Sequence, residues 1–348
     1  PGSPAEKLSI KGFSGPFHPS GITFAPTSED GTPARIVILA VNHVPFETPR
    51  VEVLYYYPAR KSLVYKKTIK SENFMTANKI AATESIYVHQ YDDTPSFFVS
   101  NDHGYNTTDW KREYEEKYNL PASSIVFYNA RADVAQESAW RLQLPSGIVE
   151  GDEANSFWVA QAKAGSVDMY RSHTLSAEHQ EEKVLAVDTK ERLTVLWPGM
   201  LNEESLNPQM FNHGIDYDKS TKTLVTVSHT KWNDYVRLAR AKAGKEEEAE
   251  TPGKEKSSTP TTTGFVVSRA NQYPVRVGQT RPKPLKDIVF DPEEVPRRYK
   301  MQRFIEPLIS HDGSDFGSPS AIALVGDRVL VSSHFEEGFL DCNIAPLP

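Results

Sequence analysis

The chain has 348 residues, a formal net charge of −7, 38% hydrophobic residues and 24% charged residues. No apolar run approaches the roughly 20 residues that cross a bilayer, and the acidic balance, with only short mixed runs such as Lys61 to Lys70, speaks against a nucleic-acid partner. Cys342 is the single cysteine, which excludes an intrachain disulfide and a four-cysteine zinc site.

The opening PGSPAEKLSI shows neither the charged n-region nor the apolar h-region of a signal peptide. Next comes HPSGI (18 to 22), the first of five related turns. The others are TANKI (76 to 80), LPSGI (144 to 148), FNHGI (211 to 215) and SPSAI (318 to 322). Measured two residues before the isoleucine, the marks are Ser20, Asn78, Ser146, His213 and Ser320, spaced by 58, 68, 67 and 107 residues. Each leads into an apolar strand. A second strand with a polar end follows each mark: IVILAVNH to His43, SFFVSNDH to His103, SFWVAQ to Gln161, TLVTVSH to His229 and RVLVSSH to His334.

Third strands read as RVEVLYYY, SSIVFYNA, GSVDMYRS and GFLDC. These runs are rich in Val, Ile, Phe and Tyr and are punctuated by Gly, Pro, Asn and Asp, the mark of strands and turns. TTDWKREYEEKYNL (107 to 120) predicts a helix. The stretch 242–264 is charged and lacks large apolar residues, which predicts an exposed or disordered insertion that stretches the 107-residue spacing.

A unit of three or four strands repeated at this period predicts an all-β chain, a single β-propeller domain over 1–348 in which each small sheet buries its faces against its neighbours. Equivalent positions of the repeats then converge on one axis. The marks would bring Ser20, Asn78, Ser146, His213 and Ser320 to one polar floor, and the second strands would bring His43, Asp102, His103, His229 and His334 toward the channel or its rim. Convergent oxygens suit a hard cation such as Ca²⁺, whereas several imidazoles suit a transition metal or act as general bases without any metal.

LAVNHV followed by VEVLYYY, the segment FFVSNDHGY, and the ending DRVLVSSHFEEGFLDC carry a resemblance over nearly the whole chain apart from the insertion. The chain resembles the paraoxonase, or arylesterase, family of six-bladed β-propeller, calcium-dependent lactonases. The resemblance implies a metal-dependent hydrolase of lactones or aryl esters. One catalytic calcium ion would polarise the carbonyl, and histidine would activate water.

By that resemblance Asn78, Ser146, Asn212 and His213 stand at metal-ligand positions, with the frame at 212 to 214 open by one residue. His43, Asp102, His103 and His229 stand at catalytic or pocket-wall positions, and Ser20 replaces the family's histidine base. Lys79 stands where the family places an aspartate that binds a second, structural calcium, so that ion is expected to be absent. The family's first blade, with a glutamate ligand and the cysteine that pairs with the last one, has no counterpart before KLSIKGFSGPFHP beyond an outer strand. The expectation is therefore a six-bladed propeller with five repeats visible and the first incomplete, and a missing N-terminal segment that pairs with Cys342. The sequon Asn106-Thr107-Thr108 and the family together point to secretion. A reading of a different class is a propeller that has lost catalysis and binds a ligand or a protein, since a fold does not fix a function.

Overall fold

A computed structural model describes residues 8–26, 35–83, 94–118, 120–151, 156–164, 166–174, 185–194, 211–229, 238, 265–276, 299–311, 316–333 and 339–344. The predicted insertion at 242–264 and His334 lie outside these residues.

The described residues form five sheets, one α-helix of nine residues and a short 3-10 turn at Pro58–Arg60. Sheet 1 holds β1 (Ile10–Lys11), β2 (Pro19–Pro26), β3 (Ile36–Asn42), β4 (Arg50–Tyr57) and β5 (Ser62–Ile69), in the order β1-β5-β4-β3-β2. Strand β1 lies parallel to β5, with Ile10 opposite Leu63. Sheet 2 holds β6 (Ala77–Ala82), β7 (Phe97–Asn101), β8 (Ser123–Asn129) and β9 (Val134–Leu142), with α1 (Trp110–Tyr118) between β7 and β8. Sheet 3 holds β10 (Pro145–Glu150), β11 (Ser156–Gln161), β12 (Ser166–Thr174) and β13 (Leu185–Thr194). Sheet 4 holds β14 (Phe211–Asp218), β15 (Thr223–His229), β16 (Phe265–Arg276) and β17 (Tyr299–His311). Sheet 5 holds β18 (Pro319–Val325), β19 (Arg328–Ser333) and β20 (Phe339–Asn343). The chain is all-β, and each sheet is a propeller-type blade whose strands follow one another in sequence order, apart from β1 added beside β5 in sheet 1.

The five marks have one structural meaning. In every sheet the strand that carries the mark (β2, β6, β10, β14 or β18) pairs antiparallel with the strand that follows it in the chain, and the ladder skips one residue: Ser20, Asn78, Ser146, His213 and Ser320 respectively. Each is the extra residue of a β-bulge, which bends the strand and raises its local twist. The register also aligns the ends of the second strands. Asn42, Asn101, Gln161, Ser228 and Ser333 pair with the residue just before the bulge. His43, Asp102, Ala162 and His229 therefore follow at equivalent positions, and Asp102, not His103, is the counterpart of His43.

The glycine after the bulge answers to close approach between neighbouring first strands. A Cβ on Gly21 would sit 2.5 Å from the Asn78 carbonyl oxygen and 2.7 Å from the Lys79 Cα, and one on Gly214 would sit 3.1 Å from the Ala321 Cα. Strands β2, β6 and β10 accordingly lie side by side, as do β14 and β18.

By its internal contacts the chain divides into two compact units, residues 1–164 with 168–190, and residues 165–167 with 191–348. In the first, Val37, Leu39, Val41, Val51 and Val53 of sheet 1 pack on Phe74 of the turn before β6 and on Ile80, Phe97, Val99 and Tyr128 of sheet 2. The alternate residues Phe98, Ile125 and Phe127 pack on Ile148, Phe157 and Val159 of sheet 3, with Phe98 and Phe157 rings 4.3 Å apart. Sheet 2 is thus buried on both faces, which is why SFFVS reads as an unbroken apolar run. In the second unit Val225, Val227 and Val267 pack on Ile322, Val329 and Val331. Among the described residues no helix is long and apolar enough to cross a membrane.

Gly21→Ala is expected to lower unfolding free energy by about 1–3 kcal/mol, because the methyl group meets backbone that cannot swing aside. Urea denaturation measures it. Ile22→Ala, at a side chain that is 59% exposed, is the control and should cost far less.

Candidate active site

The first unit gathers a continuous polar chain at the bulged end of sheets 1 and 2. The Ser20 hydroxyl donates to the Asn78 carbonyl oxygen at 2.8 Å, and Lys79 Nζ donates to the Ser20 carbonyl oxygen at 2.8 Å. Asn78 Nδ2 donates to Asp102 Oδ2 at 3.2 Å, and the other carboxylate oxygen of Asp102 lies 2.9 Å from His103 Nδ1. His103 Nε2 lies 3.6 Å from Glu116 Oε1, which Arg112 Nε holds at 2.8 Å from within α1. The helix is itself tied down by Glu115, a buried carboxylate that accepts the Gly104 N–H with both oxygens at 3.1 Å.

Electrostatics single out three groups. Burial pushes the Asp102 carboxyl up, but the hydrogen bond from His103 and the charges of His103, Arg112 and His43 outweigh it and hold the carboxyl below its ordinary range. Asp102 is therefore an anion at neutral pH. His43 is reached by solvent, yet enough protein surrounds it that desolvation lowers its pKa below 6.5, against the opposing pull of Asp102 and the Ala77 backbone. It stands as a neutral imidazole at pH 7. Lys79 is lowered to about 8, by burial first, with Asp102 opposing.

His43, Asp102, His103 and Asn78 thus belong to one cluster with Ser20 and Lys79. Ser146 is buried at the bulge of β10, with its hydroxyl 3.4 Å from the Ala160 carbonyl oxygen. His229 is buried at the end of β15 in the second unit. Register places His213 at the fourth bulge and Asn212 just before it, opposite Ser228. The side chains of Asn212 and His213 lie outside the description.

As holders of calcium, the described donors fall short. Asn78 and Ser146 offer neutral oxygens only, and both carboxylate oxygens of Asp102 are already engaged. Calcium takes six to eight oxygens, commonly including carboxylates, and the Lys79 ammonium stands one residue from Asn78. Among the described residues no three His, Cys, Asp or Glu side chains are grouped to hold a metal.

Three residues of the cluster escaped the sequence reading. Arg112 and Glu116 form an i,i+4 pair on the predicted helix, a visible signal, but nothing in the sequence says which strand end the helix meets. Thr76, whose hydroxyl donates to the His103 carbonyl oxygen at 2.5 Å, sits in the turn before Asn78 and carries no signal of its own.

A family model described as Arylesterase matches residues 4–198. Over 158 residues the chain is 31% identical to serum paraoxonase/arylesterase 1 of Mus musculus, a match that covers 45% of this chain and 39% of that protein. It is 26% identical over 173 residues to serum paraoxonase/arylesterase 2 of Homo sapiens, covering 50% of this chain and 44% of that protein. The matches span less than half the length of these relatives. Among solved structures, a putative 6-phosphogluconolactonase from Bacteroides uniformis matches 93% of this chain and 80% of its own at 9% identity and a TM-score of 0.43, too distant to carry an argument.

Lys79 generates a prediction about stability. Its folded pKa of about 8 lies below the ordinary 10.5, so between those values the unfolded chain binds more protons and stability contributed by this residue rises with pH. Below pH 8 both states are charged and the burial cost is fully present. Lys79→Met should therefore raise the melting temperature relative to the parent most at pH 7, with the difference shrinking toward pH 10, as thermal melts across that range would show.

Proposed function

The chain belongs to the arylesterase family, and on that premise we propose that it is a hydrolase of lactones or aryl esters whose reacting groups in the first unit are His43, Asp102 and Asn78. The observation that carries this reading is the pairing of a neutral imidazole with a fixed anion at equivalent strand ends of neighbouring sheets. His43 is a base at pH 7, and Asp102, whose charge acts on it, favours the imidazolium that forms when it takes a proton.

In that scheme water attacks the ester carbonyl as His43 accepts its proton, and a C–O bond forms. The negative charge that develops on the carbonyl oxygen is met by the positive field of Lys79, one residue from the bulge. The tetrahedral intermediate then expels the alcohol oxygen, which takes the proton back from His43. His103, held between Asp102 and Glu116, orients the carboxylate. His229 extends the same strand-end pattern into the second unit.

The family's calcium ion belongs to the proposal as a question put to Asn78, Ser146, Asn212 and His213. When bound, such an ion polarises the ester carbonyl. If such an ion binds the folded chain, calcium at about 100 times its dissociation constant raises stability by about 2.7 kcal/mol. Unchanged melting with added calcium removes the ion from the reading. Secretion is the localisation we assign, supported by the exposed sequon at Asn106, Thr107 and Thr108.

Phenyl acetate and aliphatic lactones are the substrates to test. The rate should fall at acid pH through a pKa below 6.5, because protonated His43 is no base. His43→Gln should lower kcat by about 100- to 10,000-fold and abolish that acid limb. Full activity in His43→Gln would dismiss this centre.

A further inference from the structure

In sheets 1 to 3 the residue that ends the second strand is a buried carboxamide, and it makes the same connection each time. Asn42 Oδ1 accepts the His18 N–H at 2.8 Å, Asn101 Oδ1 accepts the Thr76 N–H at 3.3 Å, and Gln161 Oε1 accepts the Gln143 N–H at 2.9 Å. Beside each, the backbone closes a second bond. The His43 N–H donates to His18 O at 3.1 Å, the Asp102 N–H to Thr76 O at 3.2 Å, and the Ala162 N–H to Leu144 O at 2.9 Å. The segment entering the bulge is thus gripped at both its N–H and its C=O. The extra methylene of Gln161 reaches one residue further back than the asparagines do.

The amide nitrogens are engaged as well. Asn42 Nδ2 donates to Pro16 O at 3.1 Å and to Glu52 at 2.9 Å, and Asn101 Nδ2 donates to Asn73 O at 2.8 Å and to the Ser124 hydroxyl at 3.1 Å. Gln161 Nε2 donates to the Asp168 carboxylate. In sheet 2 the grip is doubled, since the Thr76 hydroxyl accepts the His103 N–H at 3.1 Å while donating to His103 O. Thr76 therefore meets the backbone of Asp102 and His103 on one side and leads into Asn78 on the other.

We propose that Asn101 and Thr76 are positioning residues that together set where the Asp102 carboxylate, the His103 ring and the bulged Asn78 stand relative to His43. The proposal rests on the hydrolase reading for its catalytic consequence and on geometry alone for its structural one. Neither side chain touches the reacting groups. Each acts through backbone N–H and C=O groups whose displacement carries Asp102 and Asn78 with it, and displacements of this kind, about 1 Å, cost about 100-fold in rate.

Thr76→Val keeps the shape and removes the hydroxyl, leaving the His103 N–H and C=O without their partner. Asn101→Leu removes both halves of the carboxamide clip. The experiment measures kcat and KM for phenyl acetate hydrolysis and, independently of activity, the titration of His43 by NMR of the full chain. In Thr76→Val, kcat should fall about 10- to 100-fold with KM within about twofold, the His43 imidazole should titrate at a shifted pH, and Thr76→Ser should restore both kcat and the titration. Asn101→Leu should shift both as Thr76→Val does where it folds. If the parent hydrolyses no ester yet the His43 titration shifts in Thr76→Val, the positioning stands and the hydrolase reading falls. A parent-like His43 titration and kcat in folded Thr76→Val overturn the proposal.

Discussion

The structure depends on one irregularity repeated five times: a first strand that carries one residue more than its partner. An ideal ladder would send alternate residues of that strand to opposite faces and leave its end in register with the next strand. The bulge breaks the alternation at Ser20, Asn78, Ser146, His213 and Ser320. The same irregularity requires close approach of the neighbouring sheet, as the 2.5 Å distance from a notional Gly21 Cβ to Asn78 O shows. Packing and site geometry are therefore one constraint: sheets that stood further apart would not let Ser20 reach the Asn78 carbonyl.

Around that frame the charges are arranged about Asp102. It accepts from Asn78 and His103, lies within the field of His43 and Arg112, and opposes the neutralisation of Lys79. A half-buried carboxylate is tolerated when its lone pairs and charge are met. Here both are met by groups from three different segments, the bulge, the strand end and, through Arg112, the helix. The result is one fixed anion beside one neutral imidazole, the relation that acid–base chemistry near neutral pH requires.

Much of this was legible in the sequence because turn chemistry and apolar runs are local. The small or turn-forming residue before each isoleucine marked all five bulges, and runs such as SFFVS and TLVTV gave the second strands. What was not legible depends on register. Counting to the last polar residue of SFFVSNDH selects His103, but the skipped residue at Asn78 makes Asp102 the counterpart of His43. The ladder from Asn212 to Ser228 makes His213 the fourth bulge, as its place in the repeat predicts. In sequence Lys79 is known only as the residue that stands, by the resemblance, at the position of a calcium-binding aspartate. Only the approach of sheet 1 shows its ammonium turned onto Ser20 O.

The repeats also separate scaffold from chemistry. The clipping residue is a carboxamide in all three sheets of the first unit, whereas the residue after it is His43, then Asp102, then Ala162. The clip needs only the backbone N–H of that next residue, so its side chain is free to differ while the grip on the bulge is unchanged. A carboxamide can play the clip because it offers an acceptor and two donors on one planar group. Hydrogen bonds of this buried kind add about 1 kcal/mol each, but leaving such a group unmatched costs about 1–3 kcal/mol. The pressure for a carboxamide thus comes from the backbone groups it must match and is independent of what the neighbouring side chain does. Sheet 3, with Ala162, keeps the whole mechanical device without a reactive group, and that is the physical reason the device recurs in all three of these sheets while acid–base residues stand at only two of its copies.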